Sequence, residues 1–110
     1  MADLRAQRLA ENEALFRAAN ERVAEWEERD RIEAVEPYFC ECADPECGGK
    51  VELRGSDYER VRSNAALFFV VPGHEIPDLE RVIESYSDWS VVEKFEPEAR
   101  EVAAKTDPRG

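Results

Sequence analysis

Apolar residues recur with helical spacing over the first thirty positions. Leu9, Phe16 and Val23 stand seven apart, and Asn12, Ala19 and Trp26 follow each of them by three. That spacing makes one apolar stripe with a single polar interruption. No Gly or Pro occurs before Pro37, so the pattern predicts one amphipathic helix over residues 3–30. Glu13–Arg17, Glu25–Arg29 and Glu27–Arg31 are pairs four apart in the favourable order. The stripe either packs on the protein's own sheet or forms a coiled-coil seam with a partner or a second copy. Three heptads with Asn12 at a core-type position leave both readings open.

Beyond Glu36-Pro37 the period shortens. Residues 37–42, Pro-Tyr-Phe-Cys-Glu-Cys, read as an extended strand entering a turn over 43–49, which Asp44-Pro45 and Gly48-Gly49 punctuate. Residues 50–54 alternate as the return strand, and Gly55 breaks it. Ser56 and Glu59 have capping-box spacing, which predicts a short helix to Asn64. The apolar run 66–71, closed by Pro72-Gly73, reads as a buried strand. Residues 77–86 fit either a helix or the first arm of a β-hairpin. Trp89 to Phe95 is a clear strand in need of a neighbour, which favours the hairpin. Pro97 starts a last short helix, with Glu98 and Glu101 early and Lys105 late.

The predicted class is α+β: a long N-terminal helix plus a small antiparallel sheet with a cysteine-bearing knuckle and short helices. The expected organisation is an N-terminal helix over 1–34, an α+β domain over 35–106 and a frayed tail over 107–110. A helix of residues 3–30 is about 40 Å long, against a domain radius of gyration of about 12 Å. Its first turns around Leu4 and Leu9 are therefore expected to overhang. Val23 and Trp26 would then hold the helix to its own domain, while Leu9 and Phe16 face a partner.

Composition narrows the function. The chain has 110 residues, 43% hydrophobic and 37% charged, with 26 acidic against 15 basic residues and a net charge of −11. A nucleic-acid backbone is repelled by that balance, so nucleic acid is excluded as a partner. No apolar run approaches a membrane span, and no signal peptide opens the chain. A cytoplasmic location with reduced thiols is expected. Usage rich in Ala, Glu, Arg and Val hints at a GC-rich bacterial genome.

The knuckle is defined by its donors. The chain holds three cysteines and one histidine, and a structural zinc site takes four thiolate or imidazole ligands in a tetrahedron. Cys40, Cys42 and Cys47 lie across a predicted strand and tight turn. Gly48 and Gly49 permit a backbone whose amides point at sulfur. His74 follows Pro72-Gly73 at the end of the predicted buried strand, so a metal there ties two chain segments together. Three other readings stay open. The cysteines are buried as small apolar residues, Cys42 and Cys47 form a disulfide, which a reducing compartment opposes, or one thiol is reactive, which acidic Glu41, Asp44 and Glu46 oppose.

The segments Phe39-Cys-Glu-Cys, Cys47, Val51-Glu-Leu, Asp57-Tyr-Glu-Arg-Val-Arg62, Phe69-Val-Val-Pro-Gly-His74 and Val91-Val-Glu-Lys94 resemble a family of small uncharacterised actinobacterial proteins. Asn12-Glu-Ala-Leu-Phe-Arg17 and Asn20-Glu-Arg-Val23 are similar to that family's leading helix. The resemblance spans nearly the whole chain. It implies that the three cysteines and the histidine act as a set.

No catalytic residue is assigned. A catalytic zinc keeps three protein ligands and an open position, whereas four donors are at hand here. The chain has no second histidine, no phosphate loop and no serine elbow. Glu75, beside His74, is a candidate partner or base only if the site is open. The expected function is a structural-zinc interaction or regulatory module, bound to a protein partner or a second copy through its N-terminal helix. The alternatives are a zinc- or thiol-based redox or metal sensor and a zinc-dependent hydrolase with a labile ligand.

Overall fold

A computed structural model describes residues 4–26 and 34–109. Helix α1 (Leu4–Trp26) is followed by strands β1 (Val35–Phe39) and β2 (Lys50–Arg54) and helix α2 (Gly55–Arg62). Strand β3 (Leu67–Val70), the hairpin β4 (Glu80–Ser85) and β5 (Ser90–Lys94), and helix α3 (Pro97–Lys105) complete it. The class is α+β, as expected, but the strands form two antiparallel sheets. β1 pairs with β2, and the other three run in the order β3-β5-β4. Residues 77–86 take the hairpin solution, with a register shift between Val82 and Glu84. The expected helical positions 3 and 27–30, the acidic partners' Arg29 and Arg31, and Gly110 lie outside the described residues.

In the three-stranded sheet β3 and β5 are covered on both faces, while most of β4 is exposed. Phe68 pairs with Val92 and Glu80 with Lys94, and Lys94 reaches Glu13 of α1 from that face. The opposite face presents Phe69 to Tyr58 of α2 and Tyr38 of β1, with ring centroids 5.9 and 6.1 Å away. Tyr38 and Tyr58 stack at 4.6 Å. Continuous apolar runs such as 67–71 suit a strand buried on both sides.

Helix α1 does not bury its large apolar stripe. Its deepest residues are Ala6, Ala10, Glu13, Ala14, Arg17 and Asn20. Leu9, Phe16 and Val23 are only half-buried on the flank, and Trp26 is 87% exposed. Small alanines permit close approach to α3, and Ala6 and Ala10 join Leu79 and Ala99 in one apolar cluster. The N-terminal turns thus lie on the body of the protein and do not overhang it. Leu9 packs against that same cluster, and Val23 packs on the main core while Trp26 does not.

Polar side chains direct the rest of the docking. Arg17 donates to the carbonyls of Ala65 (2.7 Å) and Ala103 (2.8 Å) and to Thr106 Oγ1 (2.9 Å). Its guanidinium also lies 4.5 Å over the Phe68 ring. Glu13 turns instead to Lys94, which also pairs with Glu80; all three are fully buried. The expected Glu13–Arg17 pairing along the helix gives way to these tertiary contacts. Burial, only partly offset by Lys94, pushes the Glu13 carboxyl well above the usual carboxylate range.

Two local expectations are corrected. α2 begins at Gly55, directly after β2, and its cap residue Arg54 makes no side-chain cap bond. Gly55 therefore opens the helix, and Ser56 already sits in the first turn, where no capping box forms. α3 does start at Pro97, and the Glu96 carboxylate caps it by accepting from Ala99 N at 2.8 Å. Beyond α3, Arg109 ion-pairs with Glu21 and Glu59, which ties the chain back as far as residue 109.

Candidate metal centre

The Cys-x-Cys segment is where the chain passes from one sheet to the other. Cys40 N donates to Gly49 O (3.0 Å), extending the β1–β2 ladder by one step. The next amide, Glu41 N, donates to Phe69 O of β3 (2.9 Å). Alternation then points the two cysteines one way and Glu41 the other. Asp44 turns the chain back, accepting from Glu46 N on its side chain (2.9 Å) and from Cys47 N on its carbonyl (3.1 Å). Gly48 follows at φ +62, a left-handed conformation that an L side chain resists. Gly49 is closely approached, since a Cβ there would stand a tight 3.2 Å from both Cys47 Sγ and Val71 Cγ2.

His74 arrives from β3. Its amide bonds to Val71 O (3.0 Å), and Gly73 takes φ +91 to close the turn. The donor atoms of Cys40, Cys42, Cys47 and His74 all lie within 4.8 Å of one another. His74 Nδ1 is 3.4 Å from Cys47 Sγ and 3.7 Å from Cys40 Sγ. A tetrahedron with metal–sulfur and metal–nitrogen bonds of about 2.3 and 2.0 Å has S···N edges of about 3.5 Å. The four residues singled out in the sequence are therefore brought together in one cluster, consistent with a metal-binding site.

The surroundings favour a cation. Gly49 N donates to Cys47 Sγ (3.4 Å) and Val71 N to Cys40 Sγ (3.2 Å), so two amides support negative sulfur. Cys40 and Cys42 are buried, Cys47 is half-buried and His74 is exposed. Burial pushes the Cys40 and Cys42 thiols above their ordinary range, although a backbone hydrogen bond to each works against it. Thiolates in such a place need a positive charge beside them, which a metal ion would supply. The cysteines are free of disulfides. Acidic Asp44 and Glu46 are exposed, and Glu41 faces away, so burial and not acidity sets these thiols.

Glu41 is the residue that sequence reasoning missed. Its carboxylate accepts two bonds from Arg62 (2.7 and 2.8 Å), one from Asn20 Nδ2 (2.8 Å) and one from Phe69 N (3.3 Å). Asn20 also clasps the Phe39 backbone, donating to its carbonyl (2.8 Å) and accepting from its amide (2.7 Å). Burial works against the Arg62 charge, but Glu41 outweighs it and holds the guanidinium above its ordinary range. A glutamate set between two cysteines in an extended segment was the available signal. Glu75 makes no hydrogen bond to His74 among the described residues.

The centre is not sealed. A cavity of about 370 Å³ lies against it, lined by Leu9, Cys42, Ala43, Asp44, His74 and Ile76. His74 is exposed at this opening, while Cys42 lines it and is itself buried. No protein-family model, curated protein or solved structure matches this chain. Among the described residues no helix is long and apolar enough to cross a membrane.

Proposed function

We propose that Cys40, Cys42, Cys47 and His74 hold one zinc ion, and that the protein is a zinc-stabilised interaction or regulatory module. The observation that carries this reading is the convergence of the four donors within 4.8 Å, which uses every cysteine and histidine in the chain. Three soft sulfurs and one imidazole suit zinc better than hard cations such as calcium or magnesium. The ion would clamp the β1–β2 turn to the end of β3, and in a small domain such ligation is part of the folding free energy.

Reduced thiols at such a site accord with a cytoplasmic setting, and the resemblance to the actinobacterial family belongs to the same proposal. The interaction surface we favour is the outer side of α1, where Leu4 and Leu15 are 68% and 69% exposed and Trp26 more so. This moves the partner-facing positions away from Leu9 and Phe16. The occupant is a protein partner or a second copy of the chain, and the acidic surface leaves nucleic acid out.

Cobalt titration of the apoprotein tests the metal reading. The expected result is saturation at one Co²⁺ per chain, with tetrahedral bands and sulfur-to-cobalt charge transfer that zinc abolishes. An octahedral spectrum, or saturation unchanged in Cys42→Ser, would defeat it. A second reading, a sensor with a labile ligand, is favoured by one observation, the exposed His74 beside the cavity.

A further inference from the structure

The four donors are unequal in their surroundings. Cys40 takes a backbone amide bond at 3.2 Å and Cys47 one at 3.4 Å, while Cys40 and Cys42 are 2% exposed. His74 has neither protection. It is exposed, and it sits on a turn whose Gly73 would meet nothing within 4 Å if it carried a Cβ. The ring is held by its place in the cluster and by the His74 N to Val71 O turn bond. A donor on an open turn leaves at little structural cost, because no packing must be undone.

The cavity beside it has a definite chemical character. Its lining combines two metal-type donors, the buried Cys42 and the exposed His74, with the apolar side chains of Leu9, Ala43 and Ile76. Its volume, about 370 Å³, falls at the lower end of small-molecule sites. Asp44 on the rim and the net charge of −11 disfavour an anionic visitor. The fitting visitor is uncharged, with a soft donor at one end and a short aliphatic body at the other.

We propose that this cavity admits a low-molecular-weight thiol with an aliphatic tail, and that His74 is the donor it displaces. The inference deepens the metal reading above and rests on it. The thiol sulfur takes the coordination place given up by His74 Nδ1, and the thiol proton passes to the released imidazole. One donor replaces another with no change of oxidation state. Cys40, Cys42 and Cys47 stay in place, held by the two amides and by the Glu41–Arg62 pair behind them. The protein then senses or exchanges metal in response to thiols, and the sheet scaffold stays folded.

The test uses zinc-loaded full-length protein, a chromophoric chelator and two thiols, 2-mercaptoethanol and 6-mercaptohexanol. Both present the same donor group, so their difference reads the cavity. Each buried methylene is worth about fourfold in affinity, and four more, half-buried, give roughly a tenfold stronger acceleration of zinc transfer by the longer thiol. Ile76→Trp, which fills the cavity, should remove that advantage. Leu15→Trp, on the exposed side of α1, should keep it. Should Ile76→Trp fail to fold, Leu9→Phe serves the same purpose from the other wall. Equal acceleration by the two thiols, or an undiminished advantage in both cavity variants, overturns the inference. Protein that carries no zinc at the outset overturns the metal reading instead.

Discussion

Removing the Glu41 carboxylate should be among the most damaging single changes away from the metal donors. The Glu41 and Arg62 side chains are 0% and 1% exposed, and Arg62 makes two bonds to this carboxylate. In Glu41→Ala the guanidinium stays buried, with only a 3.5 Å contact to the Tyr58 hydroxyl and the faces of Tyr58 and Phe69 at 5.1 and 5.5 Å. An uncompensated buried charge costs about 3–5 kcal/mol, against a total stability of about 5–15 kcal/mol for a domain of this size. Urea unfolding at saturating zinc reads this directly. With a slope of about 1.5 kcal/mol per molar urea, the midpoint should fall by roughly 2–3 M. The double variant Glu41→Met, Arg62→Met removes both charges and should recover more than half of the loss. A Glu41→Ala midpoint within about 0.5 M of wild type would refute the reasoning, as would a double variant worse than the single one.

Three further outcomes are expected. Glu13 keeps its proton in the fold above the pH at which an unfolded glutamate loses it, so the folded state binds more protons. Stability from this group is then present at low pH and falls as pH rises from the ordinary carboxylate value toward the raised one, by up to about 1.4 kcal/mol per pH unit. Glu13→Gln should flatten that slope in chemical unfolding across pH 4.5–8, and an unchanged slope would count against it. Gly49→Ala should weaken zinc affinity measurably in chelator competition, since its Cβ would press on Cys47 Sγ and Val71 at 3.2 Å. Unaltered affinity would show that the turn yields. Duplex DNA should show no salt-sensitive binding near physiological ionic strength in fluorescence anisotropy, and sub-micromolar binding would contradict the charge argument.

The candidate site was legible because its chemistry is local and rare. Three cysteines, one histidine and the glycines beside them carry the pattern without help from tertiary structure. The strands were legible for a similar reason, with Trp89 to Phe95 demanding a partner that residues 80–85 provide. Helix α1 was legible as a helix and misread as a face. Its contacts are made by alanines, which offer little hydrophobic contrast, and by Glu13, Arg17 and Asn20, whose burial depends on partners far along the chain. Arg17 reaches Ala103 across 86 positions and Lys94 reaches Glu13 across 81, distances that periodicity cannot register. Glu41 was hidden in the same way, because an acidic residue beside cysteines reads as a local field until Arg62 is seen behind it.

The central claim is that one metal ion completes the cluster of Cys40, Cys42, Cys47 and His74. Elemental analysis of protein purified without added metal, run alongside Cys40→Ser, Cys42→Ser, Cys47→Ser and His74→Ala, tests it most directly. The account predicts about one zinc per wild-type chain, with each variant depleted of metal and lowered in melting temperature. Metal-free wild-type protein, with a melting temperature unchanged in all four variants, would contradict it.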